Sequence, residues 1–296
     1  MSRFNTLLLR EWMQHHRGWL ALMLVPPLLM LLVLPFGSVE FGAGELAPLP
    51  ALGLMLAAMV VVPAVVLGIT VVALLIQTPG LARRDRQDRS IEFWLSLPTS
   101  HTASVAAPVL MHLVLVPLLA LVIGAAFSYA IGAMLVWKGF GAAATLGLPW
   151  GLLAGVGLAG LARALLGVLL ACFWLMPLLL ATMAASAWLK RWGMPVLALA
   201  LAIGHKLLAS LYGVTVIGDT LAALIANARA ALAHGRPPSP TGGAEMAQAW
   251  LRDAPRWLFD DALMALRDLG QPLFLFALAA SAAGFALLVL RRRRNG

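Results

Sequence analysis

The sequence predicts an all-α, polytopic membrane protein, and three observations carry that reading. Of the 296 residues, 62% are hydrophobic and only 11% charged, whereas a soluble globular domain is roughly half apolar and a quarter charged. The apolar residues collect in six runs, each near or above the ~20 residues that cross a bilayer as a helix. The charged residues fall between those runs, with basic residues concentrated in alternate segments. A net charge of +9 and a pI near 11.2 would point to nucleic acid in a soluble protein. Here membrane topology accounts for the charge, and no nucleic-acid partner is expected.

The elements follow in order. Residues 1–17 carry Arg3, Arg10, Glu11 and Arg17 and predict an interfacial helix on the cytoplasmic face. The first span, 18–36, is longer than the apolar core of a signal peptide and is followed by no small-residue cleavage pattern. Its Pro26 and Pro27 read as a tolerated kink. The second span, 51–76, holds no charged residue. A cytoplasmic loop, 77–102, leads to a third span, 103–137. As a straight helix that span would be about 50 Å long against a hydrocarbon core of about 30 Å, so it must tilt, break or project.

Residues 138–163 are Gly-rich and interrupted by Arg163, which leaves an interfacial, a re-entrant and a spanning helix all open. A fourth span, 164–189, ends at Lys190 and Arg191, and a fifth, 194–216, contains His205 and Lys206. A lysine in hydrocarbon is costly, so these two residues either line a substrate path or sit where Lys206 can snorkel to the interface. The extracytoplasmic insertion, 217–271, has two helical pieces around the turn signal GRPPSPTGG. Its Trp250, Trp257 and Phe259 read as interfacial anchors. The last span, 272–290, stops at four arginines, a lipid-headgroup contact.

Placing the N-terminus inside puts 13 of the 21 basic residues in cytoplasmic segments and only seven in the outer ones, along with eight of the twelve acids. Six spans with both termini cytoplasmic follow from the positive-inside rule.

Absent motifs narrow the chemistry. There is no G-x-x-x-x-G-K-[ST], so the chain has no ATP-binding loop of its own, and neither H-E-x-x-H nor G-x-S-x-G occurs. Cys172 is the lone cysteine. His15 and His16 are adjacent, which turns their rings about 100° apart on a helix and argues against joint metal binding. No catalytic or metal-ligating residue is assigned. The patterns GAGE and LAGVGLAG suit close helix packing in lipid. The six spans contain no Asp or Glu, which counts against a secondary transporter.

The longest charged passage between spans is QTPGLARRDRQDRSIEFWLSLPTSH, residues 77–101. Read as a helix, Arg84 faces Asp88 and Asp85 faces Arg89 at four-residue spacing. Ile91, Trp94 and Leu95 share one face, and Pro98 stops the helix before a cap at Thr99 or Ser100. Such an element is either a docking surface or a solvated turn whose aromatics rest at the headgroups.

The passage DRQDRSIEFWLSLP resembles the first cytoplasmic loop of ABC-2-type transporter permeases, the membrane subunits of ABC exporters. REWMQHHRGWLALMLVP, FWLMPLLLATMAASAWLKR and the final span closing on RRRR are similar to that family's opening helix, fourth span and C-terminus. The resemblance implies a soluble ABC ATPase subunit docked beneath the permease, binding ATP and magnesium that this chain does not bind. It implies a homodimer or heterodimer of permeases in a bacterial cytoplasmic membrane. It also makes the charged loop a coupling helix, with Arg84, Asp85, Arg86, Asp88, Arg89, Ile91, Glu92, Phe93, Trp94 and Leu97 as the ATPase contact. A non-transporting membrane anchor and a secondary transporter are the alternatives.

Overall fold

The computed structural model describes residues 3–37, 51–81, 100–235 and 244–294. The charged stretch 82–99, with all ten expected ATPase-contact residues, lies outside the described residues, as does GAGE. Every described element is helical. Five stretches are long and apolar enough to cross a membrane: Phe4–Val33, Ala51–Leu81, His101–Leu146, Trp150–Tyr212 and Pro272–Arg293.

Helix α1, Arg3–Val33, is continuous, so the expected interfacial helix and first span are one element. Its buried residues recur every fourth position, Leu7, Glu11, Trp19 and Met23, which is the spacing that keeps side chains on one helix face. Helix α2, Ala51–Leu81, runs five residues past the expected end of the second span. The hydroxyls of Thr70 and Thr78 donate to Val66 O and Leu74 O at 2.8 and 2.7 Å, which satisfies them inside an apolar helix.

The third span is helical throughout and runs past its expected end at Trp137, as one stretch from His101 to Leu146. Helix α3, His101–Leu110, is capped by Ser100, whose Oγ accepts from Ala103 N at 3.1 Å. It passes through one π turn, Met111–Leu115, into α4, Val116–Leu146. Pro117 explains the π turn: it has no N–H to give the Leu113 carbonyl, and its ring crowds that carbonyl. Cys172 takes up the freed acceptor, Sγ to Leu113 O at 3.0 Å. Gly141 kinks α4, at φ 85°, in the left-handed region where glycine carries no Cβ penalty.

Much of the ambiguous 138–163 segment belongs to α5, Trp150–Leu189, 40 residues without a break. A 3₁₀ turn at Lys190–Trp192 then opens α6, Gly193–Tyr212. A Cβ on Gly193 would lie 2.5 Å from the Ser186 backbone. In one straight helix those residues stand about 10 Å apart along the axis, so the chain doubles back here. Helix α7, Val216–Leu232, α8, Ala244–Arg267, and α9, Pro272–Arg293, complete the fold.

Two apolar clusters mark the two ends of the bundle. One joins Leu81, Val105, Ala187 and Val289, the junctions next to the 82–99 stretch, Lys190–Arg191 and the C-terminal arginines. Here the Arg291 guanidinium lies 4.9 Å and that of Arg294 5.7 Å from the Trp188 ring centre. The other end joins Met55, Val136, Leu148, Leu153, Leu251 and Ala254. At that end Lys138 donates from Nζ to Pro35 O at 2.7 Å, tying α4 to the end of α1.

Between the ends, α4 lies against α2 through small residues four apart. Gly124, Ser128 and Gly132 are buried, and a Cβ on Gly124 would stand 2.5 Å from Pro63 Cα. Without a hydrophobic drive between helices in lipid, such close backbone approach supplies the packing. Gly124→Val is expected to destabilise the protein by about 1–3 kcal/mol through overpacking, read as a lower melting temperature of the detergent-purified protein. In LAGVGLAG, Gly157 meets the Tyr129 side chain, while Gly155 and Gly160 face open space.

Candidate functional site

The residues expected to line a substrate path are on α6. Lys206 is exposed, whereas His205 is half-buried with its ring against Gly218 at the start of α7. The two therefore face different surroundings. Exposed large apolar residues recur along α6 at Val196, Leu199, Ile203, Leu207 and Leu211, and Gly193 is its one buried residue. This helix presents most of its surface outward, and Lys206 is the charge on that surface.

Two polar clusters that sequence reasoning did not assemble are buried in the bundle. The first explains Arg163. Rather than interrupting a span, its side chain points inward, 5% exposed, against an equally buried Asp261. Nε donates to Asp261 Oδ2 at 2.7 Å, Nη2 lies 2.6 Å from the same oxygen as an ion-pair contact, and Nη1 donates to Ala231 O at 2.9 Å. Asp261 Oδ1 accepts from the backbone N–H groups of His234 and Gly235 at 3.1 and 3.0 Å, just past the end of α7. One ion pair thus holds α5, the exit of α7 and the middle of α8 together.

Neighbouring polar contacts extend this clasp. His234 Nδ1 lies 3.4 Å from Asp268 Oδ2, and Gln271 Nε2 donates to Asp268 Oδ1 at 2.8 Å. Apolar packing surrounds it, with Trp174, Leu224, Ala228, Ala231, Ala265 and Ala277 in one cluster. Trp250 and Trp257 are half-buried and Phe259 is exposed on α8. The segment after α6 is therefore bolted to the long helix α5 by charge and by packing.

The second cluster lies where α1 crosses the π turn of the third span. Glu11 is 4% and His112 0% exposed. His112 Nε2 stands 3.6 Å from Glu11 Oε2, just beyond hydrogen-bond reach. Among the described residues neither His112 nitrogen has a hydrogen-bond partner. Arg10 holds the other oxygen of the carboxylate, Oε1. One turn along α1, His15 Nδ1 is 3.1 Å from Glu11 O, and its ring sits edge-on to His112 at 5.2 Å between centres. Ligand atoms of Glu11, His15 and His112 all fall within 4.8 Å of one another. His16 is not part of this group; its Nδ1 turns back to Met13 O at 3.0 Å.

Sequence alone carried one half of this cluster, the four-residue spacing of Glu11 and His15. The other half required knowing that Pro117 opens a π turn and that His112 within it faces α1. The chain matches no protein-family model, no curated protein and no solved structure.

Proposed function

We propose that the chain is the membrane-spanning permease subunit of an ATP-driven exporter of the ABC-2 type, working as a dimer in a bacterial cytoplasmic membrane. In this reading the chain crosses six times, with the doubling back at Lys190–Trp192 turning Trp150–Tyr212 into two crossings. Both termini and the 82–99 stretch face the cytoplasm, because that end of the bundle gathers the basic junctions. The Arg163–Asp261 clasp and helices α7 and α8 face outward.

One observation supports this most. The stretch that carries Arg84 to Leu97 leaves α2 at Leu81 and returns at Ser100, beside the ends of α5 and α9. An ATPase docked there would push on several spans at once. Closure of an ATPase pair would then rock those spans as rigid bodies between inward and outward access. Glu92, Phe93 and Trp94 supply the apolar and charged contact, while ATP and magnesium reside in the ATPase. The Lys206 face of α6 must be covered by protein or water, and a second permease copy provides both the cover and the border of a substrate path with His205.

Affinity purification of the chain from its native membranes tests this reading. A soluble subunit carrying a P-loop, with ATP hydrolysis in the purified complex, is the expected result. A membrane complex purified without any ATPase would contradict it.

A further inference from the structure

We infer that Glu11, His15 and His112 form a binding site for one divalent transition-metal ion, zinc by ligand type, that pins α1 to the third span. The ligand set is two imidazoles and one carboxylate, which suits zinc and its neighbours, whereas calcium and magnesium favour oxygen-only sets. An ion about 2.0–2.1 Å from each ligand in tetrahedral geometry needs ligand atoms about 3.3 Å apart. The Glu11–His112 distance of 3.6 Å is already close to that. The rest of the triad, spread over at most 4.8 Å, closes by side-chain rotation of about 1.5 Å or less.

Three features go beyond mere proximity. Among the described residues the fully buried His112 imidazole has no hydrogen-bond partner on either nitrogen, which is costly, and a metal bond through Nε2 would satisfy that one of the two. His15 Nδ1 lies on the Glu11 carbonyl; as a donor there it fixes the tautomer, so that Nε2 carries the lone pair, the arrangement in which metal-bound histidines are usually held. Arg10 occupies Oε1 of Glu11, which leaves Oε2, the oxygen nearer His112, as a single-point ligand and offsets part of its charge. Three protein ligands leave a fourth position for water.

The π turn gives the site its place in the fold. It is Pro117 that widens the helix there, and the widened turn carries His112. Bound metal would join the stripe Leu7–Glu11–Trp19–Met23 of α1 to the start of the third span, 12 residues after Ser100 in the chain. The site therefore ties α1 to the element that follows the 82–99 stretch, and it stands whether or not that stretch binds an ATPase.

The test uses the tag-free, full-length protein in detergent, stripped with a chelator and titrated with cobalt(II) or zinc(II). One ion per chain is expected by elemental analysis, with the visible absorption of four-coordinate cobalt. His112→Gln and Glu11→Gln should each weaken binding by about 100-fold, since even outer partners of metal ligands cost 10–100-fold. His15→Gln, a less buried change that spares the core, should do the same should the His112 variant fail to fold. His16→Gln, on the neighbouring face, should bind as wild type. No bound ion, equal affinity in wild type and the His15 and His112 variants, or loss on His16→Gln alone would each overturn the assignment.

Discussion

Asp261→Ala is expected to destabilise the protein by about 3–5 kcal/mol, the usual cost of removing one partner from a buried ion pair. The loss has two parts. Arg163 would keep a charge that is 5% exposed with only the Ala231 carbonyl to accept from it, and the His234 and Gly235 N–H groups would lose their acceptor. Arg163→Ala should cost a similar amount by leaving the carboxylate alone. Because both changes break one contact, the double variant Arg163→Ala, Asp261→Ala should cost clearly less than the two added together. Thermal melting of the detergent-purified variants measures all three. Single-variant losses under about 1 kcal/mol, typical of exposed pairs, would mean that the clasp is solvated.

The clasp also predicts where the damage spreads. Its partners lie on α5, at the end of α7 and on α8, so helices α7 and α8 should loosen before the opposite end of the bundle does. Limited proteolysis around 233–244 should accelerate in Asp261→Ala, while the junctions near Trp188 stay protected by their arginine contacts.

The second large effect concerns the 82–99 stretch. On the proposed reading, a triple change of Glu92, Phe93 and Trp94 to alanine is expected to abolish ATPase binding while leaving the protein at its normal membrane level. A single buried aromatic anchor in an interface contributes about 2 kcal/mol or more, roughly a thirtyfold change in affinity. Two aromatics lost together therefore weaken the contact by about a thousandfold, which takes a micromolar contact to the millimolar range and out of reach of a pull-down. Stability should be spared, because the interface energy is realised only when the partner docks.

How much of this was legible in the sequence varies with the range of the interactions. Apolar run length is a local property, and it located the long membrane-type helices. Their ends were less legible: α2 continues through Pro79 to Leu81, and α5 starts at Trp150 because nothing in the Gly-rich run stops a helix once it packs. No backbone break separates residues 3–17 from the first span, because charge at Arg10, Glu11 and Arg17 marks a change of solvent and not a change of backbone.

Arg163 was misleading for a physical reason. An arginine within an apolar run is a breaker only if it lacks a partner, and Asp261 lies 98 residues away. His112 was likewise unreadable, since Glu11 and His15 offer half a cluster and the other half arrives through the third span. The small-residue stripe Gly124–Ser128–Gly132 was present at four-residue spacing, but only contact with Pro63 and Met55 distinguishes it from glycines such as Gly155 that touch nothing.

The most direct test of the transport reading is co-purification of this chain with its ATPase from native membranes, wild type against Glu92→Ala, Phe93→Ala, Trp94→Ala at matched membrane level. The account predicts an ATPase bound to the wild type and absent from the variant. An ATPase retained undiminished by the variant, or bound to neither form, would contradict it.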